Sequence, residues 1–307
     1  MFFEQTNAMS AMGNEIVGIL ENRYASDGLT RDTFGLVIVE ESPEGPSGFA
    51  YRGEWQCYPC SLVKAFHLAH ALHALEAGRI ERHDELDRAM HDMIAFSSNT
   101  ATNYVIDLLT GTTGDTLLPP PELAAWIDRR EELNRFFQRL GWSEWADCNI
   151  TQKLMDDTRY GREAQFAGAD GRNLNALTPI ASARLFFELF ASALPLGRAA
   201  RLQATATLLR ERSGPKSQDP HYQVDDFLGG GIPKDVPIWS KAGMNGWTGD
   251  ERASYFKHDL IRFHVPGKAP VIVAFMTQGK TLCEDKPDIF PEIGKAMFET
   301  IERHRSG

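Results

Sequence analysis

WQCYPCSLVKAFHLAHALH, residues 55–73, offers three chemistries at once: a CxxC pair (Cys57, Cys60), an SxxK pair (Ser61, Lys64) and histidines at positions 67, 70 and 73. A dithiol opening a helix would have a thiol pKa lowered by the helix N-terminus. That chemistry needs a strand running straight into a small redox unit, and a much longer chain of another pattern surrounds this one. A zinc site needs further ligands at short spacing, and neither HExxH nor a second CxxC occurs. His67, His70 and His73 therefore read as partly exposed helix residues, and no metal or cofactor is expected.

The SxxK pattern occurs at Ser61-Lys64, Ser213-Lys216 and Ser254-Lys257, so only context gives it meaning. SGPK contains Gly and Pro, which disfavour a helical turn. SYFK falls in an expected strand, where residues three apart point to opposite faces. Only Ser61 opens a strong amphipathic helix, which puts Lys64 one turn on and on the same side. From there a lysine amine desolvated enough to be neutral can take the serine proton.

Outward from this helix, residues 10–25 carry apolar positions at helical steps, and TFGLVIVEE, ESPEGPSG and GFAYRGEW read as strand, turn and strand. After SLVKAFHLAHALHALEAG, helical patterns continue in HDELDRAMHDMIAFSS, in NTATNYVIDLLTG and, as one helix, in PELAAWIDRREELNRFFQRLG. Residues 142–176 show neither period, and loops that long are usually functional or disordered. Two helices, TPIASARLFFELFASAL and GRAARLQATATLLRER, precede four expected strands: VPIWSKAG, ERASYFKH, LIRFHVPG and APVIVAFMTQG. FPEIGKAMFETIERH closes the chain as a helix. The expected fold class is α/β plus all-α. Residues 1–54 and 205–307 would build an antiparallel sheet from both termini flanked by helices, with an inserted helical domain of residues 55–204.

Composition narrows the function. With 307 residues, 42% of them apolar and 24% charged, the chain is an ordinary globular one able to bury a large core. Its formal charge of −10 argues against nucleic acid or anionic membrane as a partner, because those require clustered Lys and Arg. No stretch reaches the roughly 18 apolar residues of a membrane span, and the first residues lack a basic start followed by a long apolar run. Four cysteines in so long a chain make no disulfide framework. The expectation is a cytoplasmic protein acting on a small molecule.

SLVK is followed, in order, by SSN (Ser97, Ser98, Asn99) in FSSNTATNYVIDLL and by KAG (Lys241, Ala242, Gly243) in IWSKAGMNG. In this the sequence resembles the serine β-lactamase and penicillin-binding-protein superfamily, most closely the class A β-lactamase-like branch, whose signature is SxxK, S-D-N, K-T-G. The resemblance spans approximately residues 30–300 and implies a β-lactamase/transpeptidase-like fold. It makes Ser61 the acylated nucleophile, Lys64 its base or proton relay, Ser97 the donor to the leaving group and Asn99 the residue that orients Lys64 and substrate. Lys241 would attract a substrate carboxylate and tune Ser97. The backbone N–H groups of Ser61 and Met244 would form the oxyanion hole, with Ala242, Gly243 and Tyr255 beside the substrate. The implied activity is hydrolysis of an ester, amide or β-lactam through an acyl-enzyme. A glutaminase-like amidase and a non-catalytic or stalled penicillin-binding-like protein share the same superfamily.

The departures from that signature are specific. Ser98 stands where the family has Asp, Ala242 where it has Thr, and Tyr255 about where it commonly has Arg, so two carboxylate-binding groups are missing. The interval from Ser61 to Ser97 is also shorter than usual. The family's deacylating glutamate lies in an ExELN motif on an Ω loop. REELN, residues 130–134, is one place out of register and inside an expected helix. With the Ω loop placed instead in DCNITQKLMDDTRYGRE, the candidate bases are Asp156, Asp157 and Glu163.

Overall fold

β-Branched and aromatic runs at the two ends of the chain meet in one sheet. A computed structural model describes residues 1–155, 159–191 and 194–306, so Asp156 and Asp157 lie outside the described residues. The elements are α1 (Asn7–Arg23), β1 (Phe34–Ser42), β2 (Gly45–Tyr51), α2 (Val63–Glu76), α3 (Asp84–Ala95), α4 (Asn99–Thr110), α5 (Pro120–Arg130) and α6 (Glu132–Gln138). They continue with α7 (Gly161–Ala167), α8 (Pro179–Ala191), α9 (Arg198–Leu208), β3 (Ile238–Met244), β4 (Phe256–Phe263), β5 (Val271–Gln278) and α10 (Ile289–His304).

The strand order is β2-β1-β5-β4-β3, and every pairing is antiparallel. β1 from the N-terminal region pairs with β5 from the C-terminal region, with Val37 opposite Ala274, so the termini close the sheet as expected. Side chains alternate across it, as strand geometry requires. Val37, Val39, Leu260, Ile272, Ala274 and Met276 join the core that continues into α2, α3 and α8. Leu36, Ile38, Ile261, Phe263, Val273 and Phe275 join a second core with α1 and α10. Both faces are covered, which is why β1 and β5 read as nearly continuous apolar runs rather than alternating ones. At the N-terminus of α10's face, the backbone of Leu228–Gly231 lies against Gly294, where an added Cβ would stand 2.1 Å from the Leu228 carbonyl oxygen. The glycine-rich FLGGGIPKD is therefore a packing joint between two backbones.

Four expectations are corrected. The segment 121–141 is two helices, α5 and α6, hinged at Glu131. The bend brings Arg130 inward to Glu163, and Asn134 to the Ile150 N–H at 3.0 Å. ERASYFKH and LIRFHVPG contribute one strand, β4, while Glu251–Ala253 forms a separate turn. His258 and Asp259, at the join of the two expected strands, are buried within β4 and hydrogen-bonded there.

α2 is not amphipathic: every residue from Val63 to Leu72 is buried, because α3, α4, α6 and α9 all pack around it. His67 and His70 are consequently core residues, not surface ones, and His70 stacks on Phe136 at 4.5 Å. Among the described residues no protein group bonds their four ring nitrogens. Burial depresses both pKa values to about 3, so the rings are neutral. The fourth correction concerns Glu163, below.

Candidate active site

The SxxK stretch begins at a sharp corner. Cys60–Leu62 is a single 3₁₀ turn running directly into α2, so Ser61 and Lys64 are one turn apart on the same rising helix. The corner is held from below. His258 of β4 meets the Tyr58 carbonyl through Nε2 at 2.9 Å and accepts the Thr277 N–H at Nδ1 at 3.0 Å. Burial lowers its pKa to about 4, which leaves a neutral ring with its one proton on Nε2, donated to Tyr58. Cys57 and Cys60 are free buried thiols whose pKa values are raised by desolvation, the reverse of what an attacking dithiol needs.

The SSN stretch closes on Lys64, which is fully buried. Its Nζ donates to Asn99 Oδ1 at 2.8 Å, to Ser97 Oγ at 3.1 Å and to the Ser97 carbonyl. Lys241 of β3, also fully buried, donates to the same Ser97 Oγ at 3.1 Å and to Gln223 Oε1 at 3.0 Å. The Ser97 hydroxyl therefore stands between two amines. Burial, and then the Lys64 charge, push the Lys241 pKa well below the ordinary lysine range. Ser98, the departure from S-D-N, caps α4 by accepting the Ala101 N–H at 3.1 Å. Serine and aspartate cap equally well, so this change leaves the helix start intact.

β3 is an edge strand, and its register fixes which groups face outward. The Asn245 N–H bonds the Phe256 carbonyl, so the neighbouring pair, Met244 and Lys257, is the non-hydrogen-bonded kind. The Met244 N–H is thereby turned to the open edge of the sheet, on the side of Ser61. Gly243 packs against the Ser61 turn itself. The Ala242 methyl points the other way and is buried in the core that includes Ile238 and Ile261, so only its backbone remains for a substrate. The Tyr255 ring packs tilted against Trp247, with centroids 6.0 Å apart.

Ser61 opens into a cleft of about 740 Å³, whose walls include Tyr58, Asn99, Gln152, Arg159, Met244, Trp247 and Asp250. Glu163 is placed differently from its expectation as a base. Its Oε1 and Oε2 accept from Arg130 at 2.6 and 3.1 Å in a buried pair, and Arg130 also lies on the Trp126 ring at 4.3 Å. Both oxygens are committed to a structural ion pair, and Glu163 does not line the cleft.

Main-chain strain is concentrated at this place. Among the described residues, five other than glycine have left-handed φ: Arg52 (47°), Cys60 (49°), Ser97 (54°), Gln223 (55°) and Tyr255 (62°). Four of them are the residue before Ser61, the shared hydroxyl, the Lys241 acceptor and the ring behind Trp247. Gln223, His258 and Arg159 belong to no motif. Only the run of polar residues within an otherwise apolar strand could have drawn attention to His258.

No group of three or more His, Cys, Asp or Glu among the described residues could hold a metal ion, and no described helix is long and apolar enough to cross a membrane. The fold is that of the class A β-lactamases. The chain belongs to the Beta-lactamase enzyme family, whose model matches residues 85–301, a segment that begins after the SxxK helix. It is 23% identical over 214 residues to Beta-lactamase 1 of Streptomyces cacaoi, a match covering 68% of this chain and 52% of that protein. The chain thus spans about half the length of this curated relative. A variant of the last common ancestor of Gram-negative class A β-lactamases superposes with a TM-score of 0.64 at 20% identity, covering 96% of this chain and 99% of the other. A β-lactamase from Xanthomonas campestris superposes with a TM-score of 0.63 at 20% identity, covering 93% and 98%.

Proposed function

We propose that the chain is a serine hydrolase that works through an acyl-enzyme on Ser61 and cleaves an ester, amide or β-lactam bond of a small molecule. The observation that carries this reading is the Ser97 hydroxyl, held 3.1 Å from both Lys64 and Lys241 beside the start of the nucleophile helix. With Lys64 in its neutral form, Ser61 Oγ attacks the carbonyl carbon and its proton passes to the Lys64 amine, which Asn99 and Ser97 orient. The oxyanion forms against the N–H groups of Ser61 and Met244. Ser97 then hands a proton from Lys64 to the leaving group, and the field of Lys241 holds the negative charge that develops there. The four thiols, free and buried, fit a chain that works in reducing surroundings.

The test is turnover of p-nitrophenyl acetate and nitrocefin by the protein and by Ser61→Ala, with intact-mass spectra taken during the reaction. An acyl adduct on the protein and its loss in Ser61→Ala are the expected result. Equal turnover by the two proteins would overturn the assignment.

A further inference from the structure

Two ionisable side chains of opposite charge line the described wall of the cleft, Arg159 and Asp250. Asp250 is already neutralised from behind. Arg252 reaches it through Nε at 2.9 Å and Nη2 at 2.7 Å and adds its backbone N–H at 3.0 Å, which holds the carboxyl below its usual range. Arg159 faces the Tyr58 phenol together with Gln152, and stands near enough to Asp250 to lower its pKa further. Exposed apolar surface also lines the cleft: Trp247 is 56% exposed and Met244 39%. A partly enclosed cleft of this kind concentrates a positive field. A guanidinium presents a planar fork that a carboxylate can meet with two parallel hydrogen bonds.

We propose that Arg159 is the anion-recognition residue of this cleft. Its fork takes a carboxylate on the substrate, the substrate's apolar part lies against Trp247, and the scissile carbonyl is thereby set over Ser61. This assignment rests on Ser61 being the nucleophile, and the experiment separates the two claims.

The probes are two esters of the same leaving group, p-nitrophenyl butyrate, which is neutral, and mono-p-nitrophenyl glutarate, which carries a carboxylate. Arg159→Gln is expected to lower kcat/KM for the glutarate ester by about 10- to 100-fold and to leave the butyrate ester within about twofold, with Arg159→Lys in between. Equal effects on both esters at an unchanged melting temperature, or none on the glutarate ester, overturn the proposal. A fall on both esters together with a lower melting temperature is a folding defect, and the Arg159→Lys protein, keeping the charge, then decides. Turnover of neither ester by the unaltered protein would instead remove the Ser61 reading. In that case calorimetry with phenylacetate against phenylacetamide still decides the role of Arg159. Tighter binding of the anion, lost in Arg159→Gln, upholds it; equal binding of both compounds, or no change in the variant, overturns it.

Discussion

Gly243 lies so close beneath Ser61 that a Cβ at position 243 would stand 2.6 Å from the Ser61 amide nitrogen. The same atom would meet Cys60 Cβ at 3.0 Å and the Leu62 nitrogen at 3.2 Å, and the two nitrogens are backbone, which cannot swing aside. Gly243→Ala is therefore expected to lift the nucleophile turn off β3 and tilt the Ser61 N–H away from the oxyanion. The fall in kcat should be about 10²- to 10³-fold, the size of losing one oxyanion donor. A Gly243→Ala protein with unchanged kcat on p-nitrophenyl acetate would show that the contact does not position the N–H.

Ser97→Ala removes the oxygen that Lys64 and Lys241 share. Acylation should slow by about 10²- to 10⁴-fold, the range for losing a positioned proton-transfer group. Rapid-quench mass spectrometry reads the acylation rate directly. Acylation at the normal rate would mean that the proton reaches the leaving group by another route.

Glu163→Gln discriminates between a base and a brace. It leaves the fully buried Arg130 guanidinium without its countercharge, which should cost about 3 kcal/mol of stability in urea unfolding. Turnover per folded molecule should stay near normal. Intact stability with lost turnover would restore the carboxyl to the chemistry.

Acid should unfold the protein early. His67, His70 and His258 have folded pKa values of about 3, 3 and 4 against an ordinary 6.5, so between pH 4.5 and 6.5 the unfolded chain takes up three protons that the folded chain refuses. Asp259, raised to about 7 by burial, works in the opposite sense and binds one proton only when folded. The net two protons make stability rise with pH across this window, by up to about 2.7 kcal/mol per pH unit. The contribution is complete above pH 6.5 and is lost as pH falls. Urea midpoints measured from pH 7.5 to 4.5 check this, and His70→Phe should flatten the slope by one proton. A flat profile in the unaltered protein would mean that the histidines are solvated.

Much of this was legible in the sequence for identifiable reasons. β1 and β5 announce themselves because β-branched runs buried on both faces have no other use in a chain of this composition. Ser61, Lys64, Ser97, Asn99 and Lys241 came from three short motifs in order, and the structure brings Lys64, Ser97, Asn99 and Lys241 into hydrogen-bond contact. What the sequence hid depends on tertiary surroundings. The helix of Lys64 looked two-faced because histidine counts as polar, yet four helices close around it and bury His67 and His70. Glu163 looked like any loop acid until Arg130, 33 positions earlier, turned inward to meet it. Gln223 and Arg159 act through position alone, and a side chain without a motif carries no local mark.

The left-handed backbone at Cys60, Ser97, Gln223 and Tyr255 has a further consequence. Each such residue holds about 1–3 kcal/mol that glycine would release. Selection for heat resistance alone would thus erode this corner of the molecule first, exchanging those side chains for glycine and letting the cleft slacken. The main chain, read with every side chain erased, already marks where the protein does its work.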